Sequence, residues 1–189
     1  MVLGIPRGGV AVAAAVADGI EAPLDVIVVR KLRAPGQPEL AIGAMGESGA
    51  RVLNRSLIEE LGITASELDR LVAIESHELD RSVQSLRLTC PRLPVKGKTA
   101  IIVDDGIATG ATARAACQIA RTLMATRVVV AAPVAAPRAL AELERLTDEL
   151  VCLLAPNQFR AVGQHYRDFT PTSDEVVVEM VLSNRAMRN

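Results

Sequence analysis

Short runs of Val, Ile and Leu recur along the chain, each followed by a stretch whose apolar positions are spaced for a helix. Val2 to Ile5, Leu24 to Val29, Thr99 to Val103, Thr126 to Ala132 and Glu149 to Leu154 read as strands buried on both faces, because they lack the alternation of a half-exposed strand. Between them, Gly9 to Ala17 is apolar nearly all round. Ala113, Ala116, Cys117, Ala120, Leu123 and Met124 make one helical stripe opposite Arg114, Gln118 and Arg121. Strands alternating with helices predict a doubly wound α/β fold, a mainly parallel sheet with helices on both faces. Residues 32–94 interrupt the alternation. They hold a Pro/Gly stretch (Ala34 to Pro38), two short strand candidates (Ala41 to Met45 and Arg51 to Asn54) and a long helix. Thr64 and Glu67 have the spacing of a capping box at that helix's start. The organisation expected is a core over 1–155 carrying this insertion, then a C-terminal segment over 156–189.

Composition narrows the partners. A chain of 189 residues, half of them hydrophobic, fits one globular domain able to bury roughly 70% of its unfolded surface. A net charge of −1 and the lack of any basic run give no electrostatic footprint for nucleic acid. The partner expected is small. Cys90, Cys117 and Cys152 are odd in number and form no CxxC pair, which favours reduced core thiols over disulfides or a zinc site. No apolar run reaches membrane-spanning length and the start has no signal-peptide pattern, so the cytoplasm is the expected compartment.

The chemistry concentrates in IIVDDGIATGAT, residues 101–112. This stretch leaves a buried strand, turns at Gly106 and enters a helix near Thr109, so the backbone N–H groups of Thr109, Gly110, Ala111 and Thr112 are expected to cradle an anion, with two threonine hydroxyls as further donors. Asp104 and Asp105 precede it. Neighbours leaving a strand tend to face opposite ways, which disfavours joint binding of one metal ion and suits acceptors for sugar hydroxyls. A ribose 5-phosphate meets both demands. A plain capped turn would explain the Thr and Gly but not the two carboxylates. In a doubly wound sheet ligands bind where strand order reverses, here between the first strand and the Thr99 strand. That brings Arg7, Gly8 and Gly9 to the same place.

On these residues the chain resembles the type I phosphoribosyltransferases, whose signature for phosphoribosyl pyrophosphate is similar to IIVDDGIATGAT. Ile5-Pro6-Arg7-Gly8-Gly9 resembles the family's pyrophosphate loop, and Val29-Arg30-Lys31 its basic strand end before a mobile loop. IPRGG, VVRKL, PELAIGA and HYRDF together resemble a bacterial branch of the family whose acceptor is not generally assigned. The resemblance implies a phosphoribosyltransferase that displaces pyrophosphate with a nitrogen nucleophile, takes part in nucleotide salvage and forms a homodimer. Asp104 and Asp105 would hold the ribose hydroxyls and residues 108–112 the 5-phosphate. Arg7, Gly8, Gly9, Arg30 and Lys31 would hold the pyrophosphate with its Mg2+, which no side chain ligates directly. A regulator of the same fold that senses the compound without turnover is the alternative.

The resemblance also places a hood over the acceptor after the last core strand, where the chain's only aromatic residues, Phe159, Tyr166 and Phe169, all lie. Phe159 and Tyr166 are candidates to pack on the acceptor; equally, the aromatics could plug an Ala-rich core. Members of the family commonly carry a segment upstream of the first strand, so the hood is expected to be incomplete or the chain shortened. Residues 32–40 are expected to be disordered until ligand binds. Ala108 stands where relatives acting on 6-oxopurines usually have an Asp that handles a ring proton, so the acceptor implied is not a 6-oxopurine. Gly97-Lys98-Thr99 imitates the end of a Walker A sequence, but Arg92 occupies the required first Gly position and the tripeptide precedes a strand. His77 is expected to face solvent.

Overall fold

Strand β1 (Val2–Gly4) lies second from one edge of a five-stranded sheet whose order is β2-β1-β6-β7-β8, with β2 at Leu24–Val26, β6 at Thr99–Val103, β7 at Arg127–Val134 and β8 at Glu149–Leu154. Every pairing in it is parallel. The computed structural model describes residues 1–188; the side chains of Pro38, Glu39, Ser48 and Ser85 lie outside the description. Helices α1 (Gly8–Gly19) and α6 (Asp174–Ala186) cover one face, and α4 (Ala111–Thr122) and α5 (Pro137–Leu143) the other. The fold is therefore the doubly wound α/β arrangement expected. The chain leaves β1 toward β2 and leaves β6 toward β7, so strand order reverses between β1 and β6 as predicted.

The insertion builds a second layer. β3 (Val29–Ala34), β4 (Gln37–Gly46) and β5 (Arg51–Leu53) form an antiparallel sheet that lies over α4, so close that a Cβ on Gly46 would sit 2.5 Å from an Ile119 methyl. Because α4 is covered on two sides, Ala115 and Ile119 are buried along with Ala113, Ala116, Cys117 and Ala120. Met124, expected in the stripe, lies beyond the helix end at φ 63° and is exposed.

Two further expectations are corrected. The strand expected over Leu24 to Val29 is two strands. β1 ends at Gly4, whose carbonyl accepts from the Ile27 N–H, and the chain then leaves the parallel sheet to open β3. Residues 32–40 form a hairpin instead of an irregular stretch. Pro35 and Gly36, read as breakers, make its two-residue turn, with Gly36 at φ 69° where a side chain would be strained. Pro38, in the same stretch, belongs to the side chains outside the description.

Short α2 (Arg55–Glu60) leads to α3 (Ala65–Arg87), which starts on the predicted capping box: the Thr64 hydroxyl accepts from the Glu67 N–H, and the Glu67 carboxylate accepts from the Thr64 N–H at 2.9 Å. His77 on α3 is exposed as expected. α6 returns to pack on α1 and β2, and the Asn184 side chain accepts from the Leu24 N–H and donates to Asp18, so this end of the 156–189 segment contributes to the core. Cys90 and Cys117 are buried and Cys152 half-buried, all three as free thiols. Among the described residues, no helix is long and apolar enough to cross a membrane.

One buried ion cluster fixes α3 to the sheet. Arg87 donates to Asp25 at 2.7 Å, to both Glu47 carboxylate oxygens at 2.7 Å, and to the carbonyls of Val26 and Cys90. Burial opposes its charge, but the bonds to Glu47 and Asp25 outweigh this and hold its pKa above the usual value. Removing one partner from a buried ionic cluster strands the others, at about 3–5 kcal/mol. Arg87→Met is therefore expected to lose about 3–5 kcal/mol of stability in urea denaturation. A loss below about 1 kcal/mol would contradict this account.

Candidate functional site at the strand-order reversal

The site begins where two glycines meet two aspartates. Arg7 is the N-cap of α1, and Gly8 and Gly9 open the helix beside the end of β6. A Cβ on Gly8 would lie 1.9 Å from a carboxylate oxygen of Asp105; one on Gly9 would lie 2.9 Å from the Cα of Asp104 and 2.8 Å from the carbonyl of Val103. Only hydrogen fits at either position. The Pro6–Arg7 peptide leading into this turn is cis.

Asp104 and Asp105 do not diverge as expected. β6 ends at Val103, so the two-residue alternation of a strand no longer applies, and both carboxylates border the first turn of α1. Asp104 accepts the N–H of Asp105 at 2.9 Å. Burial, and then the charge of Asp105, push Asp104 up to about 7; burial likewise raises Asp105, against hydrogen bonds from Asp104 and from the Gly106 N–H.

Beyond the pair, Ile107 is buried and pinned at both backbone groups: its N–H donates to Val134 at 2.9 Å and its carbonyl accepts from Ala136 at 2.8 Å. That anchor carries Ala108 and Thr109 to the surface and turns the chain at Gly110, φ 73°, into α4. Asp104, Gly106, Ala108 to Thr112 and their neighbours enclose a pocket of about 140 Å³. This lies below the several hundred Å³ of a site that engulfs a whole ligand, so it suits one end of an extended molecule. At the first turn of α4 the Ala111 N–H donates to the Thr109 hydroxyl at 3.4 Å, and the other N–H groups with the positive end of the helix dipole face this loop, an arrangement suited to an anion.

The remaining predicted residues are dispersed. Arg30 forks onto Glu75 of α3, with two contacts of 3.0 Å, and is already neutralised; as the second residue of the antiparallel β3, it does not end a parallel strand. Lys31, its neighbour, faces the other way into a groove of about 500 Å³ shared with Ala44, Ala111 and Arg114. Phe159 stacks on His165 at 5.9 Å between ring centres. Tyr166 packs on Phe169 at 5.2 Å, and its hydroxyl donates to the carbonyl of Asp105 at 2.5 Å. Phe159 and Tyr166 are half-buried and Phe169 exposed, so the aromatics do not plug the core. Val162 was missed from sequence. It packs where a Cβ on Gly106 would be, 2.4 Å from its methyl, and the Gly106 turn was the available signal.

A doubly wound sheet with an acid pair and a glycine-turned helix start at its reversal point places the chain among the α/β proteins whose ligand crevice lies past the carboxyl ends of the strands. The comparisons give the family. The chain belongs to the phosphoribosyl transferase domain family, whose match runs over residues 1–168. Two Mycobacterium tuberculosis proteins, Rv0571c and MT0597, both carrying a phosphoribosyl transferase name, are 50% identical over all 189 residues. The chain spans 42% of their length. The crystal structure of TT1426 from Thermus thermophilus is 42% identical, superposes with a TM-score of 0.90, and is matched over 96% of this chain and 86% of that one.

The acid pair carries a stability consequence. Asp104 binds a proton more tightly in the fold than when unfolded, so the fold loses stability as pH rises from about 4 through about 7. Asn at 104 keeps the oxygen that accepts from Asp105 but carries no charge. Asp104→Asn is therefore expected to be more stable than the parent at pH 8, by roughly 2–4 kcal/mol, and to show no gain at pH 4. Urea midpoints at the two pH values check this; equal differences at both would contradict the assigned shift.

Proposed function

We propose that this chain transfers the ribose 5-phosphate group of phosphoribosyl pyrophosphate to a nitrogen acceptor and releases pyrophosphate. The observation that carries the proposal is the contact of the Arg7–Gly9 turn with Asp104 and Asp105, next to the anion cradle at residues 108–112. The acid pair accepts the 2′ and 3′ hydroxyls of the ribose, and the first turn of α4 holds the 5-phosphate. Arg7 is exposed at the α1 N-terminus and takes the pyrophosphate with the backbone of Gly8 and Gly9. The acceptor nitrogen forms its bond to the anomeric carbon as the carbon–oxygen bond to pyrophosphate breaks. Positive charge then develops on the ring, where the carboxylates stabilise it. Lys31, beside Ala111 in its groove, adds a cation near the phosphate end.

Mg2+ supplies charge neutralisation on the pyrophosphate. The ion would arrive on the substrate's own oxygens, and Arg7 with the backbone of Gly8 and Gly9 would hold the pyrophosphate that carries it. The reading places the chain in cytoplasmic nucleotide salvage as a homodimer. Ala108, exposed at the cradle, offers no proton, so the acceptor is not a 6-oxopurine.

Calorimetry with Mg2+ and phosphoribosyl pyrophosphate is expected to show binding that weakens roughly ten- to a hundred-fold in Asp105→Asn. Unchanged affinity would contradict the ribose assignment. In a pyrophosphate-release screen over purines, pyrimidines and small amines, hypoxanthine and guanine are expected to be poor acceptors; efficient turnover of hypoxanthine would contradict the inference from Ala108. Binding without turnover of any acceptor would favour a sensor over an enzyme.

A further inference from the structure

The Tyr166 phenol has one polar partner among the described residues, the backbone carbonyl of Asp105. That carbonyl is on the backbone of the residue whose carboxylate lies against the first turn of α1, where a Cβ on Gly8 would sit 1.9 Å from its oxygen. The hydroxyl therefore fixes the Asp105 backbone on one side while α1 confines its carboxylate on the other. The adjacent residue is fixed from the same side: Val162 packs against Gly106 where no side chain fits, and Phe169 packs against Gly163, whose Cβ would lie 2.8 Å from its ring. The 3-10 turn Val162–His165 is therefore clamped onto the end of β6 by an apolar contact at 106 and a polar one at 105. A segment that needed only to close the fold could use the apolar contact alone.

We propose that Tyr166 is a positioning residue: by holding the Asp105 carbonyl it sets where the Asp105 carboxylate lies against the first turn of α1 and ties the acceptor-side segment to the ribose-binding acid. The role given to Asp105 rests on the phosphoribosyl reading above. Burial, and then the charges of Asp105 and Asp104, raise the phenol's pKa, which keeps its proton in place to donate. The groups facing the Asp105 carboxylate are the Asp104 carboxyl, the Tyr166 phenol and the first turn of α1 at Gly8. Without the hydroxyl, Asp105 loses its backbone anchor and its carboxylate shifts relative to Asp104 and the first turn of α1, so its titration moves. An acceptor that moves this segment would alter the acid's hold on the ribose through the same bond.

The test compares the parent chain, Tyr166→Phe and Phe169→Leu. Carboxyl-carbon NMR titration of the free protein is expected to show the Asp105 midpoint moved by about half a unit or more in Tyr166→Phe and unmoved in Phe169→Leu, which keeps the hydroxyl bond and loses ring packing. With Mg2+ and phosphoribosyl pyrophosphate, Tyr166→Phe is expected to bind about two- to ten-fold more weakly at pH 7. An Asp105 titration unchanged by Tyr166→Phe overturns the proposal, as does an equal shift in both variants, which marks a merely structural contact. The titration needs no ligand, so a parent chain that fails to bind phosphoribosyl pyrophosphate defeats the functional reading while the role of Tyr166 is still decided.

Discussion

Two Cβ atoms that cannot exist at residues 8 and 9 decide where the chemistry of this molecule sits. With hydrogen at those positions, the first turn of α1 closes onto the end of β6 until backbone touches the aspartate carboxylates. Any side chain there would force the two strand ends apart. The cradle at the start of α4 would then lose its distance to the turn that carries Arg7. The closeness costs the fold something, because it buries two like charges together and raises both acids. Sites that bind charged ligands often hold such local instability, and the ligand's hydroxyl donors relieve it on binding.

The rest of the architecture supplies rigidity behind that contact. The parallel sheet fixes both strand ends, Ile107 anchors the loop through β7 and α5, and the antiparallel layer clamps α4 from outside through Gly46 and Ile119. Arg87 ties α3 to β2 and to the 3-10 turn Glu47–Gly49, so the inserted segment is an integral second layer with its own buried ionic anchor. That layer carries Lys31 to a groove beside the cradle.

Most of the core strands, the reversal point, the capping box at Thr64 and the loop at 104–112 were legible in the sequence, since each depends on local pattern or on a short motif; β8, read as buried on both faces, leaves Val151, Leu153 and Leu154 exposed. What was not legible depends on partners far away in the chain. The pairing of Arg30 had no local signal: its partner Glu75 lies forty-five residues on. Pro35 and Gly36 looked like breakers because a tight hairpin turn and a flexible loop use the same residues. The divergence expected of Asp104 and Asp105 failed because β6 stops at Val103, one residue before the alternation could act on them. The bond of the Tyr166 hydroxyl to a carbonyl sixty-one residues away likewise left no trace in the local sequence.

The central claim is that one end of the ligand lies on the Arg7–Gly9 turn and the other on residues 108–112, with the acid pair between. Amide chemical-shift mapping tests it most directly, using ribose 5-phosphate, pyrophosphate with Mg2+, and phosphoribosyl pyrophosphate with Mg2+ in turn. The account predicts that ribose 5-phosphate perturbs residues 104–113, that pyrophosphate perturbs residues 7–10, and that the whole compound perturbs both sets. Perturbations centred on the groove between β4 and α4, or none at either loop, would contradict it.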